Sequence, residues 1–288
     1  MTAALLIGVA IGLVLTPDGR SWLRHPTLLF GSTANASAPT VEPAPLPVAA
    51  PALPTVTPLK DRMARQHGLR VGVFGDSMAD GLWTGLYRDL NDPSGGITVT
   101  KFSEVSTGLS RYDYVDIQDK TARQIAEHPV DVAVVLFGTN DAQGISTDGQ
   151  IHAFGSDGWK AAYAKRVDDL VALLRSRDVV VYWVGLPRMK RSSFDARMSL
   201  INDVVAARMT ALNVPYLPTV ALTSDAEGDY DAYLAATGTG RRQLMRANDG
   251  IHMSMAGYLR LTEPVAATIR RDAGLASAAP PAGEAAGA

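Results

Sequence analysis

The sequence predicts an α/β protein, a three-layer α/β/α sandwich around a five-stranded parallel sheet. Three observations carry this. Near-continuous Val/Leu/Phe runs mark strands buried on both faces; helical patterns alternate with them, which calls for crossover connections; and polar clusters sit where the strands end. A closed eight-stranded barrel would need more strand–helix units than the chain supplies.

In chain order the strand candidates are Leu69–Gly75 (LRVGVFG), Ile97–Ser103 (ITVTKFS), Asp131–Gly138 (DVAVVLFG), Asp178–Gly185 (DVVVYWVG) and Val214–Thr219 (VPYLPT). The helix candidates between and after them are Met78–Leu90, Tyr112–Glu127, Trp159–Arg177, Phe194–Leu212 and Ser254–Arg271, with a kink expected at Pro264 in the last.

Four segments complete the expected organisation. Residues 1–35 contain the uncharged apolar run AALLIGVAIGLVL (Ala3–Leu15), which reads as a signal or anchor segment. It falls short of the roughly 20 residues that span a bilayer. No Lys or Arg precedes it, while Arg20 and Arg24 follow, so either the true start lies upstream or the segment is an uncleaved anchor. A small-x-small cleavage pattern occurs only at Ala34–Ala38. Residues 36–59 form a Pro/Ala-rich linker, residues 60–274 a globular domain, catalytic or binding, and residues 275–288 a tail too poor in large apolar groups to pack. This arrangement implies a periplasmic or otherwise extracytoplasmic protein, secreted or tethered to a membrane by its N-terminal segment.

The 288 residues are 47% hydrophobic and 19% charged, an ordinary globular balance. With 27 basic and 29 acidic residues and a formal charge of −2, nothing points to a nucleic-acid partner. The absence of cysteine excludes disulfides, thiol nucleophiles and thiolate metal sites. None of the five histidines is paired at metal-ligand spacing, so no metal and no cofactor is expected.

Ligands of open parallel sheets bind at the carboxyl ends of the strands. Just past those ends stand Gly75-Asp76-Ser77, then EVSTGLSR (Glu104–Arg111), then Gly138-Thr139-Asn140-Asp141; ANDGIHMS (Ala247–Ser254) precedes the last helix. These groups can supply acyl transfer by serine. Ser77 at a helix N-terminus offers a hydroxyl and its own N–H. Asp249 and His252 suit an oriented base, and Asn140 and the Cβ-free Gly108 offer oxyanion donors. Each also has a plain structural reading: a cap for Asp76 or Ser77, a turn for Asn140-Asp141 and for Asp249-Gly250, a core or capping role for His252, and backbone freedom for Gly108.

Taken together and in this order, the four blocks resemble those that name the SGNH, or GDSL-type, hydrolases, over essentially all of Leu69–Arg271. STGLSR, GLPRM and DGIHMS resemble an uncharacterised exported bacterial branch of that family. The resemblance implies the flavodoxin-like SGNH hydrolase fold, Ser77 as nucleophile, His252 as base, Asp249 as its partner, and an oxyanion hole from Ser77, Gly108 and Asn140. Asp76, Asp141 and Arg188 are candidate substrate-binding residues. Met78 stands where the family often has leucine, a volume-conserving exchange.

The implied activity is a serine esterase that hydrolyses or transfers O-acyl, above all O-acetyl, groups on a cell-envelope or secreted polysaccharide, with the acylated carbohydrate and the synthesis or secretion machinery as partners. Alternatives are a lipid- or thioester-directed hydrolase, an O-acyltransferase, and a non-catalytic acyl-glycan-binding accessory. Three weaker features remain. The basic stretches Pro187–Arg191 and Arg241–Arg246 read as solvated loops or as the rim of the site. The acidic Ser224–Tyr233 reads as an exposed insertion. Trp83, Tyr112, Tyr114 and Trp159 read as sugar-stacking or core aromatics.

Overall fold

The computed structural model describes residues 51–236 and 239–275. The chain divides into two units, residues 1–47 and 48–288, and every described residue belongs to the second. The expected anchor segment, most of the expected linker, and the tail beyond Leu275 lie outside the described residues.

Helix α1 (Leu59–Gln66) leads into β1 (Leu69–Gly75) and α2 (Ser77–Leu90), then β2 (Ile97–Lys101), α3 (Ile117–Glu127) and β3 (Val132–Leu136). A hairpin of β4 (Ile145–Thr147) and β5 (Gln150–His152) precedes α4 (Asp157–Ser176), β6 (Val180–Val184), α5 (Ser192–Ala211) and β7 (Tyr216–Leu217). A second hairpin, β8 (Tyr233–Ala235) and β9 (Arg242–Leu244), leads to α6 (Met255–Asp272).

Strands β2, β1, β3, β6 and β7 form one sheet in that order, with every neighbouring pair parallel. The expected three-layer architecture is therefore present. Every residue of β3 is buried, as a central strand covered on both faces requires. Helix α1 and helix α2 pack against α6 on one side, and α4 packs against both α3 and α5 on the other.

Each helix near the site starts on a polar cap. Asp76 accepts from the N–H of Met78 at 2.9 Å to open α2, and Ser254 accepts from Gly257 at 3.2 Å to open α6. In α2 the buried positions Met78, Ala79, Leu82, Leu86 and Leu90 recur at helical spacing and face the core. On the adjoining stripe Gly81 and Gly85 let α6 come close: a Cβ at Gly81 would fall 1.9 Å from the Tyr258 ring, and one at Gly85 2.7 Å from the Thr262 side chain. This close seating sets the N-terminus of α2, which carries Ser77, beside the N-terminus of α6.

Several expected boundaries shift. The domain begins before residue 60: Leu59 is buried, Leu53 packs against the core, and Thr57 bonds both carboxylate oxygens of Asp178, at 2.7 and 2.9 Å. Arg62, 4% exposed, fixes this entry by bonding the Thr57 carbonyl and reaching Asp131 and Asp178. The C-terminal end of the expected linker is thus part of the folded unit. Helix α3 starts at Ile117 rather than Tyr112, because the Asp116 side chain caps it and the preceding residues form turns. Helix α6 runs through Pro264 as a single helix.

Candidate active site

The site lies where β1 and β3 end and α2 and α6 begin. Ser77, the first residue of α2, places Oγ 2.8 Å from Nε2 of His252, although 175 positions separate them in sequence. Nδ1 of His252 is 2.7 Å from Oδ2 of Asp249. A carboxylate at Nδ1 selects the tautomer with its proton there, which leaves Nε2 to accept from the Ser77 hydroxyl.

Asp249 is held by its own turn, with Oδ1 accepting from the N–H of Ile251 at 2.9 Å and of His252 at 3.0 Å. Partial burial acts to raise its pKa, but the hydrogen bonds from the His252 ring and from these two N–H groups prevail and bring it down to about 2. Asp249 is therefore a carboxylate at any ordinary pH. The pair is open to solvent, with the His252 side chain 36% exposed and that of Asp249 46%.

The loop after β2 reaches back over the end of β1, where the N–H of Glu104 donates to the Gly75 carbonyl at 2.9 Å. It meets the loop after β3 through the Asn140 side-chain amide, which donates to the Thr107 carbonyl at 2.9 Å. Ser77, Gly108 and Asn140 are thereby brought to one place. Neither the N–H of Ser77 nor that of Gly108 donates a hydrogen bond among the described residues. Gly108 must lack a side chain, since a Cβ there would stand 2.3 Å from Oδ1 of Asp141.

The structure corrects the three expected substrate contacts. Asp76 and Asp141 are both fully buried, so neither faces a ligand. Asp76 joins α2 to the third strand's loop: beyond capping Met78, its Oδ2 accepts from the N–H of Gly138, the N–H of Thr139 and the Thr139 hydroxyl. Burial pushes its pKa up to about 6 against those hydrogen bonds, with the charge of Asp141 adding to the rise. Asp141 accepts from the N–H groups of Leu109 and Ser110 and from the hydroxyls of Ser110 and Tyr163. Its pKa is likewise raised by burial, which these hydrogen bonds oppose. Arg188 is committed elsewhere, donating to Asp195 at 2.7 Å and to the Gly228 carbonyl at 2.9 Å.

Among the weaker features, Trp159 belongs to the core, stacked on Tyr163 with Nε1 donating to the Gln143 carbonyl. Trp83 and Tyr112 are half-buried, the latter beneath the Arg166 guanidinium at 4.1 Å. Tyr114 is exposed. In the acidic segment, Asp225 caps its own turn and Asp231 pairs with Arg242. Within the basic stretch Arg241–Arg246, Arg246 is not a surface charge at all: it is 1% exposed and sits behind the Asp249–His252 turn. Nothing in the local sequence distinguishes it from Arg241 or Arg242, which are exposed.

Comparison with curated proteins gave no match. Solved structures similar to this chain include a GDSL-like lipase from Bacteroides thetaiotaomicron VPI-5482, at 12% identity and TM-score 0.48, over 74% of this chain and 97% of that one. Another is LAE5, an alpha/beta hydrolase enzyme from the metagenome of Lake Arreo, at 16% identity and TM-score 0.46, over 72% and 95%. A third is the psychrotrophic esterase EstA from Pseudoalteromonas sp., at 9% identity and TM-score 0.44, over 71% and 95%. Residues 70–268, more than half of the sequence and a span that takes in Ser77, Gly108, Asn140, Asp249 and His252, match the family described as "Protein of unknown function (DUF459)", and the chain belongs to that family.

Proposed function

We propose that the protein is a serine esterase that removes O-acyl groups, above all O-acetyl, from a cell-envelope or secreted polysaccharide. The observation that carries the reaction type is the continuous link from the Ser77 hydroxyl through His252 to the Asp249 carboxylate, at 2.8 and 2.7 Å. A serine that merely capped a helix would have no need of an imidazole held in the accepting tautomer.

In the proposed cycle Ser77 Oγ attacks the ester carbonyl carbon while its proton passes to Nε2 of His252. The N–H groups of Ser77 and Gly108 and the Asn140 amide stabilise the oxyanion. Collapse breaks the carbon–oxygen bond to the sugar, whose oxygen takes the proton from His252, leaving an acyl-serine. Water then adds to the acyl carbon, gives one proton to Nε2, and is released in the carboxylic acid as that proton returns to Ser77 Oγ. If a sugar hydroxyl takes the place of water, the same steps amount to acyl transfer.

The openness of the site supports a polymer-borne ester. With His252 and Asp249 a third or more exposed, a small acyl group can reach Ser77 while its carrier stays outside. The apolar run Ala3–Leu15 and the Pro/Ala-rich stretch after it support an extracytoplasmic location and membrane association.

The test is hydrolysis of a small aryl acetate by the protein, lost in Ser77→Ala and in His252→Ala with the fold intact by circular dichroism. Unchanged turnover in Ser77→Ala removes the proposed nucleophile. Acetate release from acetylated glycans, set against esters of increasing acyl length, tests the substrate, and a preference for long chains overturns the carbohydrate assignment.

A further inference from the structure

Among the described residues, Arg246 is a buried cation without a carboxylate partner. It is 1% exposed, makes no ion pair among the described residues, and neither Nε nor Nη1 donates a hydrogen bond to the protein. Its guanidinium faces the Tyr230 ring at 5.0 Å, and Nη2 lies 3.7 Å from Sδ of Met189. Burial works against its charge, while the negative charges of Asp249 and Asp195 favour it. An apolar side chain of similar length would fill the same space without that desolvation cost.

What the charge does is visible in the turn in front of it. Nη2 donates to the carbonyl of Ile251 at 2.9 Å and reaches the carbonyl of Gly250 at 3.4 Å. The N–H groups of the same two peptide units, those of Ile251 and His252, donate to Oδ1 of Asp249. Peptide units 250–251 and 251–252 are therefore held at both ends, their N–H groups on the carboxylate and their carbonyl oxygens on the guanidinium, with that of Gly250 also accepting from the N–H of Lys190 at 3.0 Å. The peptide dipoles align with the field between the two charges, and the second of these units carries the His252 ring.

We infer that Arg246 is a positioning residue: through these two carbonyls it sets the direction in which the Asp249–His252 pair faces Ser77. The inference rests on the esterase reading for its effect on turnover, but not for its geometry. Replacing the guanidinium leaves the Gly250 carbonyl on the N–H of Lys190 at 3.0 Å but takes away the donor to the Ile251 carbonyl, so the 251–252 peptide unit can rotate and the His252 ring loses its fixed approach to Ser77 Oγ without any change in the groups that bind substrate.

The experiment uses the full chain carrying Arg246→Met or Arg246→Lys, with Arg246→Gln as a second uncharged variant should the methionine variant not fold. The first readout is the low-field proton resonance of the His252 Nδ1–H, identified by its loss in Asp249→Asn. It is expected to broaden or vanish in the uncharged variant and to persist in Arg246→Lys. The second is aryl acetate hydrolysis, where kcat is expected to fall about 10- to 100-fold in the uncharged variant, as small misplacements of reacting groups do, with KM little changed and substantial recovery in Arg246→Lys. A wild-type resonance and wild-type kcat in a folded uncharged variant overturn the inference, as does a lysine variant as impaired as the uncharged one. Should Ser77→Ala still hydrolyse the ester, the esterase reading falls, and the resonance alone decides the role of Arg246.

Discussion

The Asp141 carboxylate touches Gly108 so closely that a single methyl on the glycine would lie 2.3 Å from Oδ1. Asp141 also accepts four hydrogen bonds, three of them from Leu109 and Ser110, the residues that follow Gly108. The carboxylate is thus a mould for the loop that presents the Gly108 N–H. Gly108→Ala is expected to lower kcat for an aryl acetate by about 10²-fold, the scale of losing one oxyanion donor. Asp141→Asn turns an amide donor toward groups that themselves donate and is expected to cost about 1–3 kcal/mol in urea unfolding. A Gly108→Ala variant with wild-type kcat would remove Gly108 from the proposed oxyanion hole.

How far these relationships were legible in the sequence depends on whether their cause is local. Strands β1, β3 and β6 were readable because both-face burial writes itself as an apolar run, as in Val132–Leu136, whereas the edge strands β2 and β7 are only part-buried and carry a weaker signal. Ser77, Asp249 and His252 could be found because strand ends and turns place them. The inward direction of Asp76, Asp141 and Arg246 was not legible: charged residues in loops read as solvent-facing, and only the packing of α2, α4 and α6 around them decides otherwise. The three-residue strands β4, β5, β8 and β9 are too short to show a period, and α1, with four charges among its eight residues, shows little apolar stripe.

Asp76 makes stability depend on pH in an unusual direction. Its folded pKa, about 6, lies above the ordinary carboxylate value, so between about pH 4 and 6 the folded state holds more protons than the unfolded one. Stability from this group therefore falls as pH rises through that window, by about 3 kcal/mol in all. Asp76→Asn lacks the titration, so the difference in unfolding free energy between variant and wild type is expected to change across pH 4–6 and to level off outside it. A pH-independent difference would contradict the burial cost assigned to Asp76.

Asp249 has the opposite sign. Its folded pKa of about 2 lies below the unfolded value, so its contribution is present above about pH 4 and is lost as pH falls toward 2. Because the group stays ionised at any working pH, Asp249 itself is expected to add no step to the pH profile of kcat/KM above about pH 4. Asp249→Asn is expected to lower kcat by about 10²- to 10⁴-fold, since an amide no longer selects the Nδ1–H tautomer. An asparagine variant of normal kcat would break the assignment.

The distance between Ser77 and His252 is set by how two helices meet. Gly81 lies one turn below Ser77 on α2, and the Tyr258 ring of α6 occupies the place where its Cβ would be, 1.9 Å away. Tyr258 in turn directs its hydroxyl to the Met78 sulfur at 3.8 Å, so the ring is confined from both sides. Gly81→Ala must then push α6 outward, taking the Ser254 cap and the His252 turn with it. Overpacking of this kind costs about 1–3 kcal/mol, and a shift near 1 Å at the reacting atoms lowers kcat by about 10²-fold. Tyr258→Leu in the Gly81→Ala background makes room for the methyl and is expected to restore part of both losses. If the double variant recovers stability but not kcat, the seating of α6 on α2 supports the fold without setting the serine–histidine distance.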